Sequence, residues 1–99
     1  MEKKFEITQL LDTYGGLLSE RQRQAAEDFY NFDLSLSEIA ENYAITRQAV
    51  NDALKTAEKL LVKYEEILGL SGIRKRLVEA LAADEGERVR IIEEIMLNA

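Results

Sequence analysis

Val50, Leu54, Ala57, Leu61, Tyr64 and Leu68 recur at intervals of four, three, four, three and four residues. Only an α-helix lines up apolar side chains at that spacing along one seam. Thr46, suited to an N-cap, precedes the run, and Gly69, suited to a helix stop, follows it. The spacing therefore predicts one helix over about 47–68, roughly 33 Å long at a rise of about 1.5 Å per residue. A seam of that length must be covered by the first helix, by the C-terminal segment or by another subunit.

The flanking sequence extends the helical pattern. Proline is absent, and strand signatures are weak. Ile7, Leu10, Leu11 and Tyr14 share a helical face that Gly15-Gly16 ends. Ser19 with Gln22, and Ser35 with Glu38, have the spacing of capping boxes, in which each side chain satisfies an amide at a helix start. The first box opens a helix with the stripe Ala25, Ala26, Phe29 and Tyr30. The second opens a short helix carrying Ile39, Ala40 and Tyr43. After Gly69, one stripe runs through Ile73, Leu77, Ala80 and Leu81, and a last one through Val89, Ile92, Ile95 and Met96. The break Ala83-Asp84-Glu85-Gly86 leaves open one helix kinked near Gly86 or two helices with Asp84 as a cap.

The segment Leu34 to Val50, LSLSEIAENYAITRQAV, is the most specific part of the chain. A helix-turn-helix needs a short first helix, a tight turn and a second helix whose N-terminal side chains project outward. Ala40 lets the helices approach, Ile45 is the apolar plug of the turn, and Val50 is the inward residue of the second helix. A turn at about Tyr43 to Thr46 and a recognition helix from Arg47 follow. On its outer face Arg47 suits guanine edges, Gln48 and Asn51 suit adenine edges, and Lys55 suits phosphate. Asp52 also faces outward; it repels phosphate unless it accepts a bond from a cytosine amino group. The fold expected is all-α, a wingless helix-turn-helix bundle with a long recognition helix. It forms a single domain over 1–99, with an N-terminal helix in 1–18, the core in 19–68 and a C-terminal helical extension in 69–99.

Composition excludes several function classes. The 99 residues contain no histidine and no cysteine, which removes the commonest general base, the commonest metal ligand and any disulfide. Ser19, Ser35, Ser37 and Ser71 lack an imidazole to activate them, and Gly15-Gly16 lacks the lysine and spacing of a phosphate loop. No enzyme activity, metal or cofactor is expected. The charged start, Met1 to Phe5, is unlike a secretory signal, and no apolar run approaches the roughly 20 residues of a membrane span. A cytoplasmic location without membrane insertion is expected. The net charge of −6 opposes duplex binding, since phosphate neutralisation supplies much of that affinity. Arg74-Lys75-Arg76 is the one basic triplet, either an RNA-phosphate patch or a solvated face pairing with Glu79.

Leu18-Ser19-Glu20-Arg21-Gln22-Arg23, Ser35-Leu36-Ser37-Glu38-Ile39-Ala40 and Thr46-Arg47-Gln48-Ala49-Val50 together resemble region 4 of sigma factors. The chain length, the N-terminal helix and the runs Ala57-Glu58-Lys59-Leu60-Leu61 and Tyr64-Glu65-Glu66 are more particularly similar to the YlxM family of small bacterial helix-turn-helix proteins. The resemblance is dense over about 5–68 and thin after Gly69. It implies a region-4-like fold without the other sigma domains. Members of that family are linked by gene neighbourhood to the signal recognition particle and its receptor. The resemblance thus implies a modulator of protein targeting, with protein or RNA components of the particle as partners. The alternative is a sequence-specific DNA-binding transcriptional regulator. The acidic total, Asp52 and few lysines on the long helix favour the first; the helix-turn-helix spacing favours the second. A homodimer is expected from the heptad seam and the C-terminal stripes, unless the tail folds back on the long helix.

Overall fold

The computed structural model describes residues 2–98. Among them are six α-helices and no strand: α1 Glu2–Tyr14, α2 Glu20–Tyr30, α3 Leu36–Tyr43, α4 Arg47–Leu68, α5 Leu70–Ala82 and α6 Glu85–Asn98. A single 3-10 turn, Gly15–Leu17, follows α1. The fold is the all-α helix-turn-helix arrangement implied by the spacing. Two compact units divide the chain, one ending at Ile67 and the other beginning at Leu68.

Helices α2 and α3 each begin where the sequence supplies an acceptor for unpaired amides. Ser19 Oγ accepts from the Gln22 amide at 3.2 Å while Gln22 Oε1 accepts from the Ser19 amide at 3.0 Å. Ser35 and Glu38 repeat the exchange at 3.1 and 3.0 Å. These amides would otherwise be orphaned, at a cost of about 1 kcal/mol per cap. The paired bonds to Ser35, its backbone amide first, hold the Glu38 carboxyl below its ordinary range.

The α4 seam is covered from within the chain. Ile7, Leu11 and Tyr14 of α1, together with Leu18, Ala26 and Tyr30, form one core with Leu54, Ala57 and Leu61 of α4. Ala26, Ala57 and Leu61 are fully buried, and the two alanines leave space for backbones to approach. The Tyr14 and Tyr64 rings lie 6.1 Å apart, and the Tyr14 hydroxyl donates to Glu65 at 2.5 Å. The seam up to Leu61 therefore leaves no room for a second subunit, and only its end, Leu68, is exposed.

Tyr30 is buried in this core beside Glu58, which is paired with Lys3 at 3.3 Å. Burial, then the Glu58 charge, then a hydrogen bond to Glu58 push the Tyr30 phenol up to about 12. The fold holds the neutral phenol, so this contribution to stability is complete below the ordinary value of 10.0 and is lost as pH rises toward 12. An absorbance titration should show the Tyr30 step late and coincident with loss of helix, and Glu58→Gln should move it earlier. Ionisation near pH 10 with the helix intact would contradict this placement.

The second unit is the α5–α6 hairpin. Gly69, at φ 62°, ends α4 in the left-handed region that glycine tolerates. Ala83 and Asp84 separate the helices, and Asp84 Oδ1 accepts the Glu87 amide at 2.9 Å, so two capped helices form rather than one kinked helix. Arg88 donates to the carbonyls of Ala80 and Ala83, each at 3.0 Å, and Arg76 bonds Glu94. The expected apolar stripes do not form a buried core here. Among the described residues only Ala80 and Ile91 are buried, while Leu77, Leu81, Val89, Ile92 and Met96 are exposed and Ile95 is half-buried. Two helices have one mutual contact line, which accommodates Ala80 and Ile91 but not a second row.

Candidate nucleic-acid interface

The α3–α4 junction is built by short-range bonds. Ala44 closes α3 in the left-handed region at φ 54°. The Ala44 amide donates to Glu41 O at 3.3 Å and the Ile45 amide to Ala40 O at 3.0 Å, the paired bonds of a Schellman closure. These bonds and the packing of the next residue outweigh the roughly 1–2 kcal/mol that alanine costs in this conformation. Ile45 turns inward against the buried cluster of Ile39, Ala40 and Val50, joined by Leu34, Leu36 and Phe29. Thr46 Oγ1 then accepts the Ala49 amide at 3.0 Å and starts α4 at Arg47. The turn, the plug and the start of the recognition helix lie where the spacing places them.

Arg47, Gln48, Asp52 and Lys55 are exposed and Asn51 is half-buried, all on the first half of α4. Gln48 Nε2 donates to Asp52 Oδ1 at 2.9 Å. This bond uses one of the two amide N–H groups of Gln48 and draws the side chain toward Asp52. It also fixes a carboxylate beside the would-be reading surface. Arg47, Asn51 and Lys55 make no side-chain hydrogen bond or ion pair among the described residues. The structure thus groups the five residues and links Gln48 to Asp52, while Arg47, Asn51 and Lys55 are not engaged with one another.

Other polar residues near this surface were not apparent from the linear motif. Arg21 and Gln24 of α2 line a small cleft of about 110 Å³ with Ile39, Tyr43, Ile45, Val50 and Ala53, beside the turn. The Tyr43 hydroxyl donates to Asp28 at 2.8 Å, which ties the end of α3 to α2 and raises the Tyr43 phenol above its ordinary value. Lys55, Lys59 and Lys63 follow one another at i+4 and are unpaired among the described residues. Their shared wall is an open groove of about 820 Å³ between α1 and α4, which Lys3, Glu6, Glu58 and Glu66 also line. The i+4 spacing was the available signal for this row; its alternation with glutamates in sequence hid it. Arg76, by contrast, is paired with Glu79 at 3.6 Å and with Glu94, so the basic triplet is partly neutralised within the hairpin. Among the described residues no group of three or more acidic side chains is placed to hold a metal ion, and no helix is long and apolar enough to cross a membrane.

This geometry agrees with what the chain is similar to. Residues 1–96 match the model of the UPF0122 family, described as "Putative helix-turn-helix protein, YlxM / p13 like". The chain belongs to the YlxM-like UPF0122 family. A UPF0122 protein of Desulforamulus reducens is 50% identical over 90 residues, covering 87% of this chain and 77% of the relative. UPF0122 proteins of Clostridium perfringens and Fusobacterium nucleatum are each 43% identical, over 98 and 83 residues. The match covers 96% of this chain and 88% of the Clostridium relative, and 80% and 81% respectively for the Fusobacterium relative. Membership of UPF0122 covers both units of the chain, including the α5–α6 hairpin where the sigma-like motifs run out.

Proposed function

We propose that this chain is a cytoplasmic helix-turn-helix binding module that modulates the signal recognition particle pathway through protein or ribonucleoprotein contact. The observation that supports this reading best is the Gln48–Asp52 bond at 2.9 Å. It turns Gln48 toward a carboxylate and sets that anion on the reading face, where it repels phosphate beside the base-reading side chains. The pathway itself comes from the family resemblance. A net charge of −6 points the same way, because non-specific affinity for phosphate scales with the cations offered.

The basic row on α4 favours the second reading, a DNA-binding regulator. Its geometry limits that support. Lys63 lies sixteen residues beyond Arg47, about 24 Å further along the axis and turned by about 160°, whereas Lys55 is half as far on both counts, so a duplex seated on Arg47 reaches Lys55 before it reaches Lys63.

Binding of single variants separates the readings. Under the module reading, Arg47→Ala and Lys55→Ala each leave association with reconstituted signal recognition particle measurable, and neither protein selects a sequence from a randomised duplex pool. Under the DNA reading, Arg47→Ala costs about 1–3 kcal/mol at one base pair and Lys55→Ala weakens all sequences alike. Selection of one duplex sequence that Arg47→Ala abolishes would overturn the module reading.

A further inference from the structure

The α5–α6 hairpin is a separate compact unit from Leu68 onward, and among the described residues it buries only Ala80 and Ile91. Units below about 40 residues seldom stand without a metal, a disulfide or association. This one has no cysteine, and its exposed apolar residues follow a pattern. Leu77 and Leu81 on α5, and Val89, Ile92 and Met96 on α6, are spaced by four or three residues, so each helix carries a heptad-like row.

The two rows share one side of the hairpin. Ala80 and Ile91 point at the helix–helix contact, together with half-buried Ile73 and Ile95. At about 100° per residue, Leu77 and Leu81 turn off that direction to one side. Ile92, Met96 and Val89 turn to the same side of the antiparallel partner. The opposite side carries Arg76 and Glu94, bonded to each other, with Glu79, and the paired Glu87 and Arg90. The hairpin is therefore amphipathic: one face carries the five apolar side chains, interrupted by Arg74, Glu85 and Arg88, and the other is ion-paired.

We infer that the apolar face is a homodimer interface: the hairpin of a second copy of this chain packs on it to complete a four-helix bundle. Size and self-complementarity select this occupant. Each large aliphatic side chain presents on the order of 100 Å², so five that are 38% to 76% exposed leave roughly 300 Å² of apolar surface per copy. Two copies bury about 600 Å² of it, and with the polar rim the total approaches the ~1,000 Å² that a specific interface needs. Both faces are flat two-helix surfaces of the same width and composition, and four-helix packing covers both at once. An area at the low end of the specific range predicts a dimer that is concentration-dependent. This inference is independent of the targeting reading, since it uses no residue of α3 or α4.

The experiment is sedimentation velocity on the full chain from low micromolar to near-millimolar concentration. It compares wild type, the double variant Leu81→Glu with Met96→Glu, and the off-face control Leu97→Glu. All three positions are more than 70% exposed, so the fold tolerates the changes, and circular dichroism confirms helix content. The expected result is concentration-dependent dimer for wild type and Leu97→Glu, and monomer throughout for the double variant. A wild type that stays monomeric across the range, with the face covered by its own chain or by nothing, overturns the inference. So does a dimer that survives the double substitution. Should the double variant lose helix, the single variant Leu81→Glu takes its place and must weaken the dimer at least tenfold.

Discussion

Leu61→Ala is expected to lower the free energy of unfolding by about 2–5 kcal/mol, a large share of the roughly 5–15 kcal/mol available to a domain. Leu61 is fully buried and belongs to the same core as Ile7, Leu11 and Tyr14 of α1 and Ala26 and Tyr30 of α2. Removing its branched end leaves a cavity lined by rigid helices that cannot close over it. The next residue supplies the control. Val62 is 43% exposed at the wall of the α1–α4 groove, so Val62→Ala should cost less than about 1 kcal/mol. Urea unfolding followed by circular dichroism measures both. Equal losses at the two positions would mean that the α4 seam is not packed against α1 and α2 as described.

Ile39→Ala should be as costly at its own site yet more local in effect. Ile39 is 1% exposed and packs with Ala40 and Val50 in a cluster distinct from the main core, to which Phe29 and Leu36 connect it. The loss of contacts is again about 2–5 kcal/mol. It falls on α3 and the turn, elements held otherwise by the Ser35–Glu38 cap and the Tyr43–Asp28 bond. Amide exchange should accelerate through residues 36–46 by a hundredfold or more while α1 and the middle of α4 stay protected. Uniform acceleration across α1 to α4 would show that the two clusters form one cooperative core.

The residues differ in how much of this structure they announce. The caps at Ser19 and Ser35, the plug at Ile45 and the start of α4 were legible because each depends on bonds within about five residues, which sequence spacing encodes directly. The coverage of the α4 seam was not, because heptad spacing says that a face is buried without saying against what; α1 and α2 supply the cover here. The C-terminal stripes match the buried line only in part, for a related reason. Apolar periodicity marked Ile73, Leu77, Ala80 and Leu81 on α5 and Val89, Ile92, Ile95 and Met96 on α6; the hairpin buries Ala80, half-buries Ile73 and Ile95, and uses the unmarked Ile91 in place of the others. Its one contact line takes the residue that faces the partner helix, and the richer stripe is left outside. In the candidate interface, the five side chains were identified as outward-facing by α4 periodicity. The Gln48–Asp52 bond that couples two of them is an i,i+4 pair. Composition then misled in one respect: the acidic total concealed the unpaired lysine row Lys55, Lys59 and Lys63.

The central claim is that this helix-turn-helix belongs to a module for a protein or ribonucleoprotein partner and not to a duplex reader. The most direct test is fluorescence anisotropy across a salt series, with the full chain titrated against randomised duplex DNA and against reconstituted signal recognition particle. Each phosphate contact steepens the dependence by roughly 0.9 log units of affinity per tenfold rise in salt. Arg47 and Lys55 are the only cations of α4 that a duplex on its N-terminal half would meet. The account therefore predicts weak duplex binding with a slope of no more than about two contacts, and particle binding that persists at physiological salt. Tight duplex binding with a slope of six contacts or more, absent any binding to the particle, would contradict it.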